Sequence, residues 1–416
     1  MALPSSGTIT INDIRTELAN TSGSLRTLSA AAGKSTPDAM SEFYGYSSVN
    51  PTDYFDVITY TGDGTTSNQI TGLSFFPALV IIKNLSATTT AVLYEDSRGA
   101  YVWQPVIPWR FDTCDQWWAD EIQLNSNGFT AKQVSTNRWI NYNGDDYIAF
   151  CWAGGGGETT STTRWWVDGT SYSTRPSSLD TPTGFTGVYS FIEASVNSTG
   201  GYGGYWVTYT AARNATLEYI SHGLGSEIGM LWSKVQAGDS GHEVYHKSLP
   251  NANYSHLTLD AFPANDFAAT PKLSSFQTWD NDSSKFAFGY YTDASNREPH
   301  NVNAWAEKTG ISKFDSYTGG SYGSSNIINC GFQPRLVWIK CYTSTGNWIV
   351  YSSDIAGTTS NFSIKFDLFG NTALPAAATN YNITFTGSGF YFNNSGSTSI
   401  AAINKTGDSY IFCAWA

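Results

Sequence analysis

Apolar residues along the chain come in short runs separated by Gly, Asn, Asp and Ser, and one run returns with its surroundings in register. It is Phe76-Pro77-Ala78-Leu79-Val80-Ile81-Ile82-Lys83, followed by Gly225-Ser226-Glu227-Ile228-Gly229-Met230-Leu231-Trp232-Ser233-Lys234 and by Gln333-Pro334-Arg335-Leu336-Val337-Trp338-Ile339-Lys340. From the closing lysine to a tyrosine is eleven positions each time: Lys83 to Tyr94, Lys234 to Tyr245, Lys340 to Tyr351. Upstream stand an aromatic and a Tyr-Thr pair (Phe55 with Tyr60-Thr61, Trp206 with Tyr209-Thr210, Phe314 with Tyr317-Thr318), then a glycine step at Gly72-Leu73, Gly223-Leu224 and Gly331-Phe332. Each copy closes on Trp-Ala, at Trp152-Ala153, Trp305-Ala306 and Trp415-Ala416. The repeat is about 100 residues long, the size of a domain.

Within a copy the runs are too short for helices and read as strands. Val57 to Tyr60 precedes the turn Gly62-Asp63-Gly64, and Leu79 to Ile82 follows Pro77. Ala91 to Tyr94 matches Glu243 to Tyr245 and Ile349 to Tyr351, while Gly128-Phe129-Thr130 and Gly389 to Phe392 open a hairpin. Tyr147 to Trp152 and Tyr410 to Trp415 form the last strand. Many short strands with turn signals between them predict an all-β chain of three tandem antiparallel β-sandwich modules, jelly-roll-like, at 50–153, 205–308 and 309–416. Residues 154–204 are expected to be a Gly-rich linker plus a hairpin insertion around Arg164 to Tyr172.

Residues 1–49 differ in character. Ile11, Ile14 and Leu18 lie at helical spacing behind Thr10 or Asn12 as a cap, with Glu17 inside the pattern. Thr36 before Pro37, then Asp38, Met40, Glu42, Phe43 and Tyr44 up to Gly45, signals a second helix. Short helices with so few apolar positions make a poor independent core, so this segment is expected to be an attachment piece that docks on other chains.

Composition narrows the function. Only 13% of residues are charged and the net charge is −12. That balance, with no Lys/Arg cluster, excludes a nucleic-acid surface. The five cysteines, Cys114, Cys151, Cys330, Cys341 and Cys413, show no CxxC pair and no disulfide framework. Laid on the repeat, Cys151 falls opposite Ala414 and Cys413 opposite Phe150, as small core fillers. No cofactor or metal is expected. The N-terminus lacks a signal peptide and no apolar stretch approaches a membrane span, so the expected route is folding in a cytoplasm without membrane insertion.

Candidate chemistry is sparse. His242-Glu243-Val244-Tyr245-His246 matches the H-E-x-x-H zinc pattern, which needs a helix to bring both histidines onto one metal. The repeat places it on a strand, where the two would stand about 13 Å apart. Asp112, Asp115, Asp120 and Glu121 with Trp109, Trp117 and Trp118 resemble the carboxylate-plus-aromatic furniture of a glycosidase, yet the other copies do not repeat it and a solvated loop is favoured. Trp165-Trp166 and Tyr202-Gly203-Gly204-Tyr205-Trp206 read as core aromatics that could also stack on glycans. The sequons at Asn84 and Asn214 carry no weight without secretion. No catalytic residue is assigned.

Met1-Ala2-Leu3-Pro4-Ser5-Ser6-Gly7, the run Ile9 to Ile14 and Ser41-Glu42-Phe43-Tyr44-Gly45 resemble the N-terminal segment of many tailed-bacteriophage structural proteins. Tyr60 to Gly64, His222 to Gly225, Val244 to Leu249 and Tyr147 to Ala153 are similar to a β-rich module of phage virion and tail-fibre-like proteins. The resemblance implies a virion part and no activity. The expected function is a non-enzymatic structural subunit of a tail fibre, baseplate or receptor-facing appendage; the alternatives are a capsid or neck decoration protein and a virion-borne carbohydrate-active depolymerase. Expected partners are other virion proteins through the N-terminal segment, further copies in a trimer, and a host surface glycan bound by the third, distal module.

Overall fold

The computed structural model describes residues 3–4, 6–18, 20–32, 34, 36–46, 50–87, 89, 91–95, 109–110, 121–133, 136, 138–154, 164–167, 170–172, 189–192, 201–208, 218–221, 224–235, 243–249, 257–258, 279–281, 285–288, 299–344, 348–354, 364–367, 383–393 and 401–416. The fold is all-β, with six antiparallel sheets among these residues. A five-stranded sheet runs in the order Phe55–Thr61, Asp146–Ala153, Pro77–Asn84, Val92–Glu95, Trp109–Arg110, beside a three-stranded sheet Asn68–Thr71, Gly128–Ala131, Ile122–Asn125. The same order returns as Ser312–Thr318, Ser409–Trp415, Leu336–Cys341, Ile349–Ser352, Ile364–Asp367 with Ile328–Asn329, Gly389–Phe392, Ile383–Thr386. It appears again as Tyr202–Thr208, Pro299–Ala306, Ile228–Val235, Glu243–His246, Leu257–Thr258 with Glu218–Ser221, Lys285–Phe288, Trp279–Asn281. We call these the first, third and second sets by chain position. In each, strand one pairs with strand eight and strand two with strand seven, nested as in a jelly roll, but strand four folds back on strand three in the same sheet. In the first set the connection 85–91 is short enough to favour that hairpin.

The hairpin of Arg164–Val167 and Thr170–Tyr172 is present. Through Tyr189–Ile192 it extends the second set's sheet past Tyr202–Thr208 to eight strands. The Gly-rich linker expected after Ala153 lies, beyond Gly154, outside the described residues. Register corrects one equivalence. Phe55, Tyr202 and Ser312 stand opposite Trp152, Trp305 and Trp415, whereas Trp206 and Phe314 pair with Asn301 and Cys413. The displacements are even numbers of residues, so they keep each aromatic on the same face of its strand and leave no trace in the pattern.

The N-terminal segment forms helices Ile11–Glu17 and Leu25–Ala31. Thr10 caps the first as expected, its hydroxyl accepting from Asp13 N while the Asp13 carboxylate accepts from Thr10 N. The helix expected from Thr36 to Tyr44 reduces to a single 3-10 turn, Met40–Phe43, in which Glu42 binds Ala39 N. Leu3, Ile14, Leu28 and Phe43 form a small core, and Leu3 N to Tyr46 O ties the two ends together.

The central strands explain the density of the apolar runs. All eight residues of Pro77–Asn84 and all six of Leu336–Cys341 are buried. Alternate side chains of a strand face opposite ways, so such burial requires cover on both faces. Outward, Val80, Ile82, Val92, Tyr94 and Cys151 pack with Ile70, Ile122 and Phe129 of the first three-stranded sheet. Val337, Ile339, Tyr351 and Phe412 meet Ile383, Phe390 and Phe392 in the third set. Inward, all three sets share one cluster, in which Leu79, Ile81 and Trp152 join Met230, Val244 and Trp305 and also Leu336, Trp338 and Trp415. The three Trp-Ala tryptophans touch one another, with ring centroids 5.9 Å apart for Trp152–Trp305, 5.4 Å for Trp152–Trp415 and 6.1 Å for Trp305–Trp415. Trp338 lies against all three.

Seams flank this core. Arg335 bridges from Asp354 to Asp56 of the first set, 2.7 Å away. Phe314 of the third set covers Gly229 of the second, and Cys413 Sγ lies 3.1 Å from Met230 Sδ. The three sets therefore lie side by side around one shared cluster. No helix among the described residues is long and apolar enough to cross a membrane.

Two outcomes follow. Trp415→Ala removes a ring shared by all three sets and should cost about 3–5 kcal/mol while unfolding stays a single transition in urea; separate transitions for separate sets would contradict the shared core. At Gly229 an added Cβ would lie 2.5 Å from Phe314 Cδ2. Gly229→Ala should then cost about 1–3 kcal/mol, and adding Phe314→Leu should return part of it in a double-mutant cycle.

Candidate functional site

Glu243–His246 is a strand, so the zinc pattern is not on a helix; His242 lies outside the described residues. His246 is fully buried at the seam of the second and third sets. Its Nδ1 accepts from Ser248 N at 3.2 Å, which leaves Nε2 to donate to Phe412 O at 3.2 Å. Both ring nitrogens are thus taken by backbone, and neither is left for a metal. Burial is the main reason its pKa falls to about 3, the Phe412 carbonyl only partly opposing it. Beside it, Lys247 and Lys313 both pair with Glu307. Burial alone would raise the Glu307 pKa, but the lysine hydrogen bonds outweigh it and hold the carboxylate below its usual range.

The glycosidase-like acids are not brought together in anything described. Asp112, Asp115, Asp120, Trp117 and Trp118 lie outside the described residues, and Trp109 is placed only as a strand residue. Glu121 is buried, not in a solvated loop, and faces Tyr94. Burial first and the Glu121 carboxylate second push the Tyr94 hydroxyl well above its ordinary pKa. Trp165, Trp166, Tyr205 and Trp206 are strand residues, and Tyr202 is core, its hydroxyl donating to Asn303 Oδ1 at 2.9 Å. Asn84 is buried and hydrogen-bonded, and Asn214 lies outside the described residues. Cys151, Cys330, Cys341 and Cys413 are free and buried, the first and last as core residues in facing layers. Among the described residues no three His, Cys, Asp or Glu side chains are grouped to hold a metal.

A polar constellation does form at the ends of the strands away from the tryptophans. The last strands of the first and third sets are preceded by Ile140-Asn141-Tyr142-Asn143-Gly144-Asp145-Asp146-Tyr147 and Ile403-Asn404-Lys405-Thr406-Gly407-Asp408-Ser409-Tyr410, which share Ile-Asn-x-x-Gly-Asp-x-Tyr. Asn141 ties its loop to the first hairpin, donating to Asp63 Oδ1 at 3.0 Å and Thr65 O at 2.8 Å. Asn404 does the same, donating to Ser321 O at 2.8 Å and accepting from Gly320 N at 2.9 Å. The Tyr147 and Tyr410 hydroxyls accept from Tyr142 N and Lys405 N, each at 2.9 Å. Gly62 and Gly319 admit the loop, since a Cβ at either would stand 2.3 Å from the Tyr142 or Lys405 carbonyl oxygen. The first set adds a further layer. Asn84 Nδ2 and Arg138 Nε each donate to Asp145 Oδ2 at 2.7 Å, and the Arg138 guanidinium lies 4.8 Å from the Tyr142 ring. Burial would raise the Asp145 pKa; the Arg138 and Asn84 hydrogen bonds prevail and lower it.

Residues 50–190 and 187–416 match the family model of a domain of unknown function, DUF7483. The chain belongs to the DUF7483 family. No curated protein and no solved structure matches it. The shared loop motif of this DUF7483 chain carries no apolar signal, but the register that aligns the lysines aligns it too: Asn141 and Asn404 sit at equal distances before the closing Trp-Ala.

His246 carries a pH consequence. The unfolded histidine takes a proton near its ordinary pKa of 6.5 and the folded one only near 3, so stability is intact above about 6.5 and is lost as pH falls toward 3. The full loss is up to about 5 kcal/mol. His246→Gln should be less stable than the parent at pH 7 but show a flatter decline between pH 6.5 and 4 by urea denaturation. Parallel declines would mean that other groups govern the acid limb.

Proposed function

We propose that this DUF7483 chain is a non-enzymatic structural protein of a bacteriophage particle, placed in a tail fibre, baseplate or other receptor-facing appendage and located in the virion. The N-terminal resemblance motivates the reading, and the two-part build of the chain supports it. A small helical body with its own core, Leu3, Ile14, Leu28 and Phe43, precedes a much larger block whose three sets share one aromatic core. Such a division suits a short attaching piece and a rigid displaying piece.

In this reading the contacts with other particle proteins run through residues 1–49. A trimer of chains remains compatible with it, but the aromatic core does not require one, because the three sets already supply three like sheets to that core. Of the residues that first suggested an enzyme, the described His246 and Glu121 are buried with neighbours of their own.

Deletion of residues 1–49 should leave the block folded, with near-UV circular dichroism unchanged, while the truncated chain disappears from purified particles by mass spectrometry. Incorporation equal to that of the full chain would refute the attachment role, and absence of the full chain itself from particles would refute the virion reading.

A further inference from the structure

The two matching loops act as an internal control on what the fold needs. Asn141 and Asn404, Gly144 and Gly407, Asp145 and Asp408, and Tyr147 and Tyr410 recur. Tyr142 does not, since Lys405 takes its place and pairs with Asp408 at 3.4 Å. The loop therefore closes without a tyrosine there. Yet Tyr142 is 40% exposed, and its position is unusually well held. Its backbone N–H is bound by the Tyr147 hydroxyl, and its ring lies on Arg138. Arg138 in turn is locked to Asp145, whose side chain is 5% exposed and is also bound by the buried Asn84. An exposed aromatic ring resting on a half-exposed guanidinium that a buried carboxylate fixes has little freedom left to lose on binding, which favours a ligand.

We propose that Tyr142 is the stacking platform of a neutral-saccharide subsite at the end of the strands away from the tryptophan core. The first strand starts at Phe55, beside the tryptophan core, and runs to Thr61, about 20 Å along, so the Tyr142 loop lies at the end of the strands away from that core. A pyranose offers an apolar C–H face for the ring and a rim of hydroxyls for exposed Asp63, Asn143 and Asp146. Those carboxylates, and an Arg138 charge already neutralised by Asp145, select against acidic sugars. The subsite deepens the receptor-facing reading, which supplies only the source of the sugar.

The test is a printed array of neutral, sialylated and uronate-containing oligosaccharides probed with the full chain, followed by titration of the best neutral binder. Preference for neutral sugars is expected. Tyr142→Ala should weaken binding about tenfold or more with the melting temperature unchanged, while Tyr142→Phe stays within about threefold and Tyr44→Ala, a second exposed tyrosine, has no effect. No neutral binder, a preference for acidic sugars, or equal binding by Tyr142→Ala would overturn the proposal. Particle content measured in parallel separates the two readings: a chain present in particles that binds no neutral sugar sinks the subsite alone, and a sugar-binding chain absent from particles sinks the virion role alone.

Discussion

The structure depends on burying its five-stranded sheets on both faces. A sheet covered on one side only would alternate apolar and polar residues, as the outer strand Asn68–Thr71 does, with Ile70 inward and Gln69 and Thr71 exposed. In the first and third sets the central strands cannot alternate, because one face meets the set's own three-stranded sheet and the other meets the remaining sets. Four tryptophans fill the place where the sheets converge. Their interplanar angles of 64° to 79° set ring edges against ring faces, the arrangement favoured by aromatic quadrupoles. The Trp-Ala endings that mark each repeat are therefore contacts among repeats as well as strand termini.

The seams use unlike surfaces. The first strand of one set leans on the start of the third strand of another: Asp56 on Arg335, and Phe314 on Gly229. A contact between unlike faces of similar units either closes into a ring or continues as a filament. Here the three sets meet within one chain, where Trp152, Trp305 and Trp415 touch one another. The residues at equivalent positions then become free to differ. Gly229 and Arg335 both precede the first inward residue of their strands, and each suits its own seam, with a glycine beneath Phe314 or an ion pair to Asp56.

This shared packing decides what was legible in the sequence. Strand positions were, because apolar runs bounded by turn residues carry their own length signal, and equal lysine-to-tyrosine gaps aligned them. So was the unsuitability of His242 to His246 for zinc, since the repeat put a strand there. Side-by-side packing was not, because a strand buried by its own module and one buried by three look alike in a single sequence. The first-strand equivalences failed for a related reason: a slip of two or four residues preserves the inward face. The third-set loop around Asn404 and the first-set loop around Asn141 could have been paired by eye, but polar loop residues contribute nothing to a hydrophobic pattern.

Divergence among the copies is therefore more informative than their likeness. Where a position recurs, as with Asn141 and Asn404 or Gly62 and Gly319, a hydrogen bond or a close backbone approach accounts for it, and the fold alone suffices as the reason. Where one copy adds groups that its fellow does without, the fold no longer supplies the reason. Arg138, Asn84 and Tyr142 form such an addition, and burying Asn84 beside Asp145 has a desolvation cost that their hydrogen bonds with Arg138 offset. His246 is a contrasting case: it too is special to its set, yet both ring nitrogens end on backbone at a seam, so its singularity is explained by where the second and third sets meet. The same question, asked of each unshared polar residue, separates the parts of the chain that hold the block together from the parts it holds out to solvent.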